Sequence, residues 1–324
     1  LLPSLGVAGK SDRTLPSRRS LAMAPLPVVR TPFYCSGCPH STATLGRSDH
    51  HEETPDVLHG VGIGCHVMLV LMPQTITGSQ TGVSQMGGEG GHWIGMSSFV
   101  RERHFVQNLG DGTFAHSGSL AVRAAVAANV DITFKLLRNS AVAMTGGQAI
   151  EGQRDLADLV SLLRAEGVAR VIVTTDDVRR SRREVHGLAE VWPRHRLEQA
   201  EHELGRTPGV TVLIHDQECA TERRRRWRRG AAKPRERVLI NERICEGCGD
   251  CGRASKCLSV QPVQTELGRK TWINQSSCSL DRSCLSGDCP SFVTVRVPRK
   301  PASRRWSMIS TPPEPVSPEP GACL

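Results

Sequence analysis

From Phe33 to about Asp216 the chain alternates apolar runs with segments whose apolar residues recur at helical spacing. The runs at 104–109, 131–137, 170–174 and 210–215 are rich in Val, Ile, Leu and Phe and predict strands. Between the first two lies SGSLAVRAAVAAN (117–129), whose alanines and spaced Leu and Val residues predict a helix joining parallel strands. Further helices are expected at 155–166, ahead of RVIVTT, and at 195–205, ahead of VTVLIH. This is the rhythm of an α/β fold with a mostly parallel sheet. From 238 to 297 the pattern changes to short strands and cysteine-rich loops. Residues 1–30, rich in Pro, Ser, Gly and basic residues, read as a disordered linker, and the Pro- and Ser-rich stretch 298–324 reads as a disordered tail. The Leu at position 1 suggests a piece of a longer protein.

Composition narrows the chemistry. No apolar run approaches the roughly 18 to 20 residues needed to span a bilayer, and residues 1–30 lack a secretion-signal pattern. The expectation is a soluble, cytoplasmic protein whose thiols stay reduced. Its 12 cysteines then point to metal rather than disulfides. The net charge of +9 is clumped at Arg223–Arg226 with Arg228 and Arg229, and again from Arg296 to Arg305. Such a run binds polyanions or forms a solvated connector; 221–237 is read as the connector. Aromatics at 4% exclude a base-stacking nucleic-acid sheet.

The run HFVQNL leads into Gly110-Asp111-Gly112, and 26 residues (113–138) separate that turn from Asn139 at the end of the next strand. Both polar residues then stand at the carboxyl edge of a parallel sheet, where anionic ligands bind and helix N-termini point. Asp111 offers a carboxylate oxygen, Asn139 an amide oxygen and Ala141 a carbonyl. This hard-oxygen set suits Mg²⁺ completed by a diphosphate. Gly110 and Gly112 allow close approach of backbone to phosphate. A lone GDG is weak; Asn139 and the Gly146-Gly147 pair strengthen it.

That spacing resembles the signature of the thiamine-diphosphate-binding enzymes. The strings FYCSGCPHSTAT, GIGCHVM, QMGGEG, FVQNLGDGTFAHSGSLAVRAAVAA, AVAMTGGQ, GVTVLIHDQECA and NERICEGCGDCG resemble the indolepyruvate ferredoxin oxidoreductases, especially the long fused bacterial type, over about Val29 to Val297. The resemblance implies a three-layer thiamine-diphosphate-binding fold over 31–220 and a ferredoxin-like iron-sulfur module over 238–297. It also implies oxidative decarboxylation of an aryl 2-oxo acid with coenzyme A, and electron transfer to ferredoxin. Asp111, Asn139 and the Ala141 carbonyl become Mg²⁺ ligands, and Gly88, Glu89 and Gly90 become cofactor contacts. Ser117 and His116 lie within reach of diphosphate or substrate. His116 is the catalytic candidate, with helix capping as its structural alternative.

Cys35, Cys38, Cys65 and Cys219 suit either zinc or an iron-sulfur cube, and their spacing alone does not choose. The resemblance implies a 4Fe-4S cluster beside the thiamine. Cys245, Cys248, Cys251 and Cys257 read C-x2-C-x2-C-x5-C. With Cys289-Pro290 downstream, Cys245, Cys248, Cys251 and Cys289 form one cube set. The second run reads C-x2-D-x2-C, so Cys257, Cys278, Asp281 and Cys284 form a second set, with Asp281 as a harder ligand, suited to a labile 4Fe-4S cluster or a 3Fe-4S form; the alternative is that Asp281 is a surface charge and only one cluster forms in this module. The cofactors implied are thiamine diphosphate, Mg²⁺ and two or three 4Fe-4S clusters. Cys323 matches nothing, and Asp49-His50-His51-Glu52 reads as loop. A pyrimidine-binding domain with its activating Glu and an oxidoreductase domain are not visible, and are expected on another chain or lost by truncation. Two other classes stay open: a non-catalytic iron-sulfur electron-transfer subunit and a zinc-bound basic nucleic-acid-binding protein.

Overall fold

The computed structural model describes residues 32–45, 57–72, 80–287 and 289–297; the expected linker, the tail, the 49–52 cluster and Cys323 lie outside the described residues. Seven strands, β1 Val57–Val61, β2 Gln80–Val83, β3 His104–Gly110, β4 Ile132–Arg138, β5 Arg170–Thr175, β6 Glu190–Pro193 and β7 Val210–Asp216, form one sheet in the order β2-β1-β3-β4-β7-β5-β6. Every neighbouring pair is parallel. Parallel strands need crossovers, and the expected helices supply them as Ser119–Ala127, Leu156–Ala165 and Leu197–Gly205.

Alternation along the central strands divides the interior into two layers. Phe105, Leu109, Ile132, Phe134, Leu136, Val212 and Ile214 pack with Ala121, Val122, Leu156, Val160 and Leu163 from the helices on one face. Leu137, Ile172 and Leu213 point the other way, onto Leu197, Ala200, Leu204 and Ala43. Lys135 shares this second face, 2% exposed, paired with Glu201 and donating to the Ala43 carbonyl at 2.7 Å. A buried charge persists when it is both paired and hydrogen-bonded, and here both conditions hold. Helices on both faces bury the sheet, and all its strand ends that follow the chain direction lie on one edge. Among the described residues no helix is long and apolar enough to cross a membrane.

The stretch expected as a solvated connector departs from that picture. Residues Ala220–Arg228 form a helix directly after β7. Arg224 Nη1 donates to the carbonyls of Ser36 at 3.0 Å and Ser277 at 2.9 Å, and Arg223 reaches the Ser279 carbonyl at 3.4 Å. The arginines answer carbonyls that the loops around them leave open.

Beyond this helix two antiparallel ribbons follow, β8 Glu236–Ile240 with β11 Phe292–Arg296, and β9 Val260–Thr265 with β10 Gly268–Ile273. The loop carrying Ser279 folds back against the turn that carries Cys35 and Cys38. Ser279 Oγ donates to the Ser36 carbonyl at 3.2 Å, and Gly37 (φ +65°) sits so close that a Cβ there would lie 2.0 Å from that hydroxyl. The cysteine-rich segment is thus held against the turn that carries Cys35 and Cys38.

Candidate functional site

β3 and β4 are neighbours, with Gly110 opposite Leu137, so the turns that follow them meet. Asp111 is the junction. Its Oδ2 accepts from the backbone N–H groups of Asn139 at 2.9 Å and Ser140 at 2.7 Å, and its Oδ1 from Gly112 at 3.0 Å. Ser140 reaches this position with φ +61°, the left-handed region, a strain of about 1–2 kcal/mol for a residue with a Cβ. Asn139 Oδ1 accepts from the Ala141 N–H at 3.1 Å. Burial pushes the Asp111 carboxyl up to about 6, countered in part by these N–H groups and by the Arg138 guanidinium. The three residues expected to ligate Mg²⁺ therefore stand together, on two turns locked by one carboxylate.

The helix leaving the GDG turn starts at Asp111–Thr113, widens into a π turn over Phe114–Gly118 and resumes at Ser119. Such widened turns recur at functional sites. His116, on the π turn, is exposed and its Nδ1 lies 2.8 Å from Ser117 Oγ. Ser117 in turn packs beside Gly87, where an added Cβ would stand 2.9 Å from its Oγ. The Gly88-Glu89-Gly90 loop thereby sits against the same turn. Gly90 has φ +77° and donates its N–H to Gln107 Oε1 at 3.0 Å, and a Cβ there would strike Ile132 and Phe134.

Two groups at this edge were not foreseen as unpartnered. Glu89 is 1% exposed; its Oε2 accepts from the Gly87 N–H at 2.7 Å while Oε1 has no hydrogen-bond partner. Burial raises its carboxyl above the usual range. His66, directly after Cys65, is equally buried with both ring nitrogens unpartnered, beside Gly64 and Gly110, and burial lowers it to about 3. Neither has a signature in sequence: a buried orphan is visible only once its neighbours are placed.

The cysteines fall into three separate neighbourhoods. Cys35 and Cys38 share a turn closed by the Cys38 N–H on the Cys35 carbonyl at 3.0 Å. Cys65 follows β1, and Cys219 follows β7, where its N–H lies 3.4 Å from the Asn139 carbonyl. Burial pushes the Cys65 thiol up to about 11, and the nearby sulfurs of Cys219 and Cys35 oppose its ionisation further. Cys38 is raised by burial and then by Cys65 and Cys35. In the second neighbourhood Cys251 is raised by burial and by Cys245, Cys248 and Cys289. In the third, burial with Cys257, Cys278 and Asp281 pushes Cys284 up to about 12. Among the described residues the cysteines form no disulfide, and no three His, Cys, Asp or Glu side chains stand close enough to hold a single metal ion.

Residues 62–185, which include the Asp111 and Asn139 turns, match the family model "Thiamine pyrophosphate enzyme, C-terminal TPP binding domain". The chain is similar to indolepyruvate oxidoreductase subunit IorA. It is 27% identical to the Archaeoglobus fulgidus subunit over 81% of this chain and 39% of that protein. It is 26% identical to the Methanothermobacter marburgensis subunit over 88% of this chain and 47% of that protein. The chain thus spans less than half the length of these curated relatives. Among solved structures, 2-oxoglutarate:ferredoxin oxidoreductase from Magnetococcus marinus is similar at 18% identity and a TM-score of 0.45, over 60% of this chain and 66% of that one.

Proposed function

We propose that the chain is the thiamine-diphosphate-binding and electron-transfer portion of an indolepyruvate-type ferredoxin oxidoreductase. The reaction is the oxidative decarboxylation of an aryl 2-oxo acid with coenzyme A, in the cytoplasm, with ferredoxin as the electron acceptor. A pyrimidine-binding and an oxidoreductase domain supplied from outside this chain complete the enzyme. One observation carries the reading: the Asp111/Asn139 turns and the Cys35/Cys38/Cys65/Cys219 neighbourhood share one sheet edge, joined where the Cys219 N–H meets the Asn139 carbonyl.

The residues present fit the groups this reading requires. Asp111, Asn139 and the Ala141 carbonyl form a compact oxygen set for Mg²⁺, and a cation there offsets the burial that raises the Asp111 carboxyl. Buried polar atoms in proteins are nearly always hydrogen-bonded, and a polar cofactor bound at this edge would offer Glu89 Oε1 and the His66 nitrogens the partners they lack. In this reading Gly88, Glu89, Gly90 and Ser117 would contact the cofactor, and exposed His116, beside Ser117, would be the catalytic candidate. When bound, the thiamine cofactor supplies an electron sink for decarboxylation, and the clusters accept the electrons released. Cys35, Cys38, Cys65 and Cys219 hold the cluster nearest it. Cys245, Cys248, Cys251 and Cys289 hold one in the ferredoxin-like module, and the Cys257, Cys278 and Cys284 thiolates another.

Titration of the anaerobically purified chain with thiamine diphosphate, with and without Mg²⁺, tests the thiamine half of the reading. Binding that requires Mg²⁺ and disappears in Asp111→Ala supports it. If Asp111→Ala leaves activity unchanged when the missing domains are added back, the chain is instead an electron-transfer subunit without thiamine.

A further inference from the structure

Asp281 occupies the middle position of C-x2-D-x2-C, where a thiolate would complete the third cysteine set. Its carboxylate is already committed. Oδ1 pairs with Arg194 Nη1 and accepts from Gln217 Nε2 at 2.7 Å, Oδ2 accepts from the Ser283 N–H at 3.3 Å, and Arg194 Nη2 donates to the Asp281 carbonyl at 2.8 Å. The side chain is 4% exposed. Both chief partners belong to the large sheet domain: Arg194 follows β6 and is also held by Asp176 at 3.1 Å, and Gln217 follows β7. Behind Gln217 the contacts continue through the His215 ring at 3.2 Å to Thr174 Oγ1 at 3.0 Å.

The backbone around Asp281 is bent in a way that suits this pairing. Leu280 (φ +57°) and Arg282 (φ +65°) both adopt the left-handed conformation that side-chain-bearing residues avoid. Two such residues flanking one carboxylate persist only where surrounding contacts fix them. A planar guanidinium gripping both the carboxylate and the carbonyl of one residue is the kind of contact that does so. For Asp281 to ligate iron through Oδ1 it would have to leave Arg194 largely buried and short of its counter-charge, and through Oδ2 it would give up the Ser283 N–H and turn a carboxylate that Arg194 and Gln217 already hold.

We propose that Asp281 is a positioning residue that docks the cysteine-rich module onto the sheet domain, and that the third site is therefore a three-thiolate site. Resting on the multi-cluster reading above, the assignment is that Cys257, Cys278 and Cys284 hold a 3Fe-4S cluster, with no protein ligand from Asp281. A cube held by three thiolates has one corner iron without a protein ligand, and one-electron oxidation of the [4Fe-4S]²⁺ cube, by ferricyanide in the test below, releases that iron as Fe²⁺ and leaves [3Fe-4S]⁺.

The test uses the full chain, purified without oxygen and then oxidised by ferricyanide, with electron paramagnetic resonance and iron counts on the wild type, Asp281→Asn and Asp281→Cys. The expected result is one 3Fe-4S signal per chain in the wild type, the same signal in Asp281→Asn, and its replacement by a reducible 4Fe-4S signal in Asp281→Cys. A wild type without the 3Fe-4S signal, in which Asp281→Asn creates it with loss of one iron, overturns the proposal by making Asp281 a ligand. A chain without iron or sulfide defeats the multi-cluster reading and the 3Fe-4S assignment with it. The docking role is read independently by urea unfolding of Arg194→Met, Asp281→Asn and the double variant. Each single variant is expected to raise the unfolded-to-folded ratio by roughly 100-fold, with the double variant no worse than either. Strictly additive effects overturn the docking role.

Discussion

Replacing Asp111 by Asn keeps the side chain's shape and removes its charge and one acceptor. In the native arrangement two carboxylate oxygens serve three backbone N–H groups, two on Oδ2 and one on Oδ1. Asn has a single oxygen. Its less costly orientation keeps that oxygen toward Asn139 and Ser140 and turns its NH₂ toward the Gly112 N–H, leaving one donor unanswered. An unmet buried N–H costs about 1–3 kcal/mol, and relief from burying a charge trims that figure, so the apo chain should lose about 1–2 kcal/mol in urea unfolding. Metal-dependent binding responds far more. Loss of a group supporting a metal ligand costs about 10–100-fold in affinity, so loss of the charged ligand itself should exceed about 100-fold for thiamine diphosphate with Mg²⁺. Calorimetric titration beside the unfolding curve separates the two effects. An Asp111→Asn chain that keeps wild-type Mg²⁺-dependent binding would refute the assignment of this carboxylate, whatever its stability.

Three further outcomes follow from the geometry. Lys135→Met should destabilise the chain by about 3–5 kcal/mol, because Glu201 stays buried without its counter-charge, while Lys135→Met with Glu201→Met should recover most of that loss; urea midpoints of the four proteins in the cycle measure it. Arg224→Ala removes the donor shared by the Ser36 and Ser277 carbonyls and should cost about 2–4 kcal/mol by the same assay. Burial holds His215 down to about 3, below its unfolded value, so the stability it contributes is complete above about pH 6.5 and falls as pH drops toward 3, by about 1.4 kcal/mol per pH unit. His215→Asn should flatten the acid limb of the stability curve by that slope.

The central strands were legible because β3, β4, β5 and β7 are apolar enough to be buried on both faces, and their sequence runs end within a residue or two of the observed strands. The flanking strands were not. VLHGV, QTGV and EVWP are short and mixed in character, and they extend because paired neighbours satisfy their backbones. The arginine run hid a helix for a related reason: its charge reads as solvation, whereas Arg223 and Arg224 are used to bind loop carbonyls of the cysteine-bearing segments. At the site, spacing located Asp111 and Asn139, since a strand, turn and crossover helix fix their separation. It could not locate Ser140's left-handed turn, the unpartnered Glu89 and His66, or the grip of Arg194 and Gln217 on Asp281, all of which depend on residues far apart in the chain.

The most direct measurement is iron, sulfide and zinc analysis of the anaerobically purified chain, together with its absorption spectrum. Three cysteine neighbourhoods holding clusters predict a brown protein with roughly eleven to twelve irons, matching sulfide and no stoichiometric zinc, bleached by dithionite. A colourless chain loaded with zinc and free of sulfide would contradict the account and leave the thiols as structural zinc ligands.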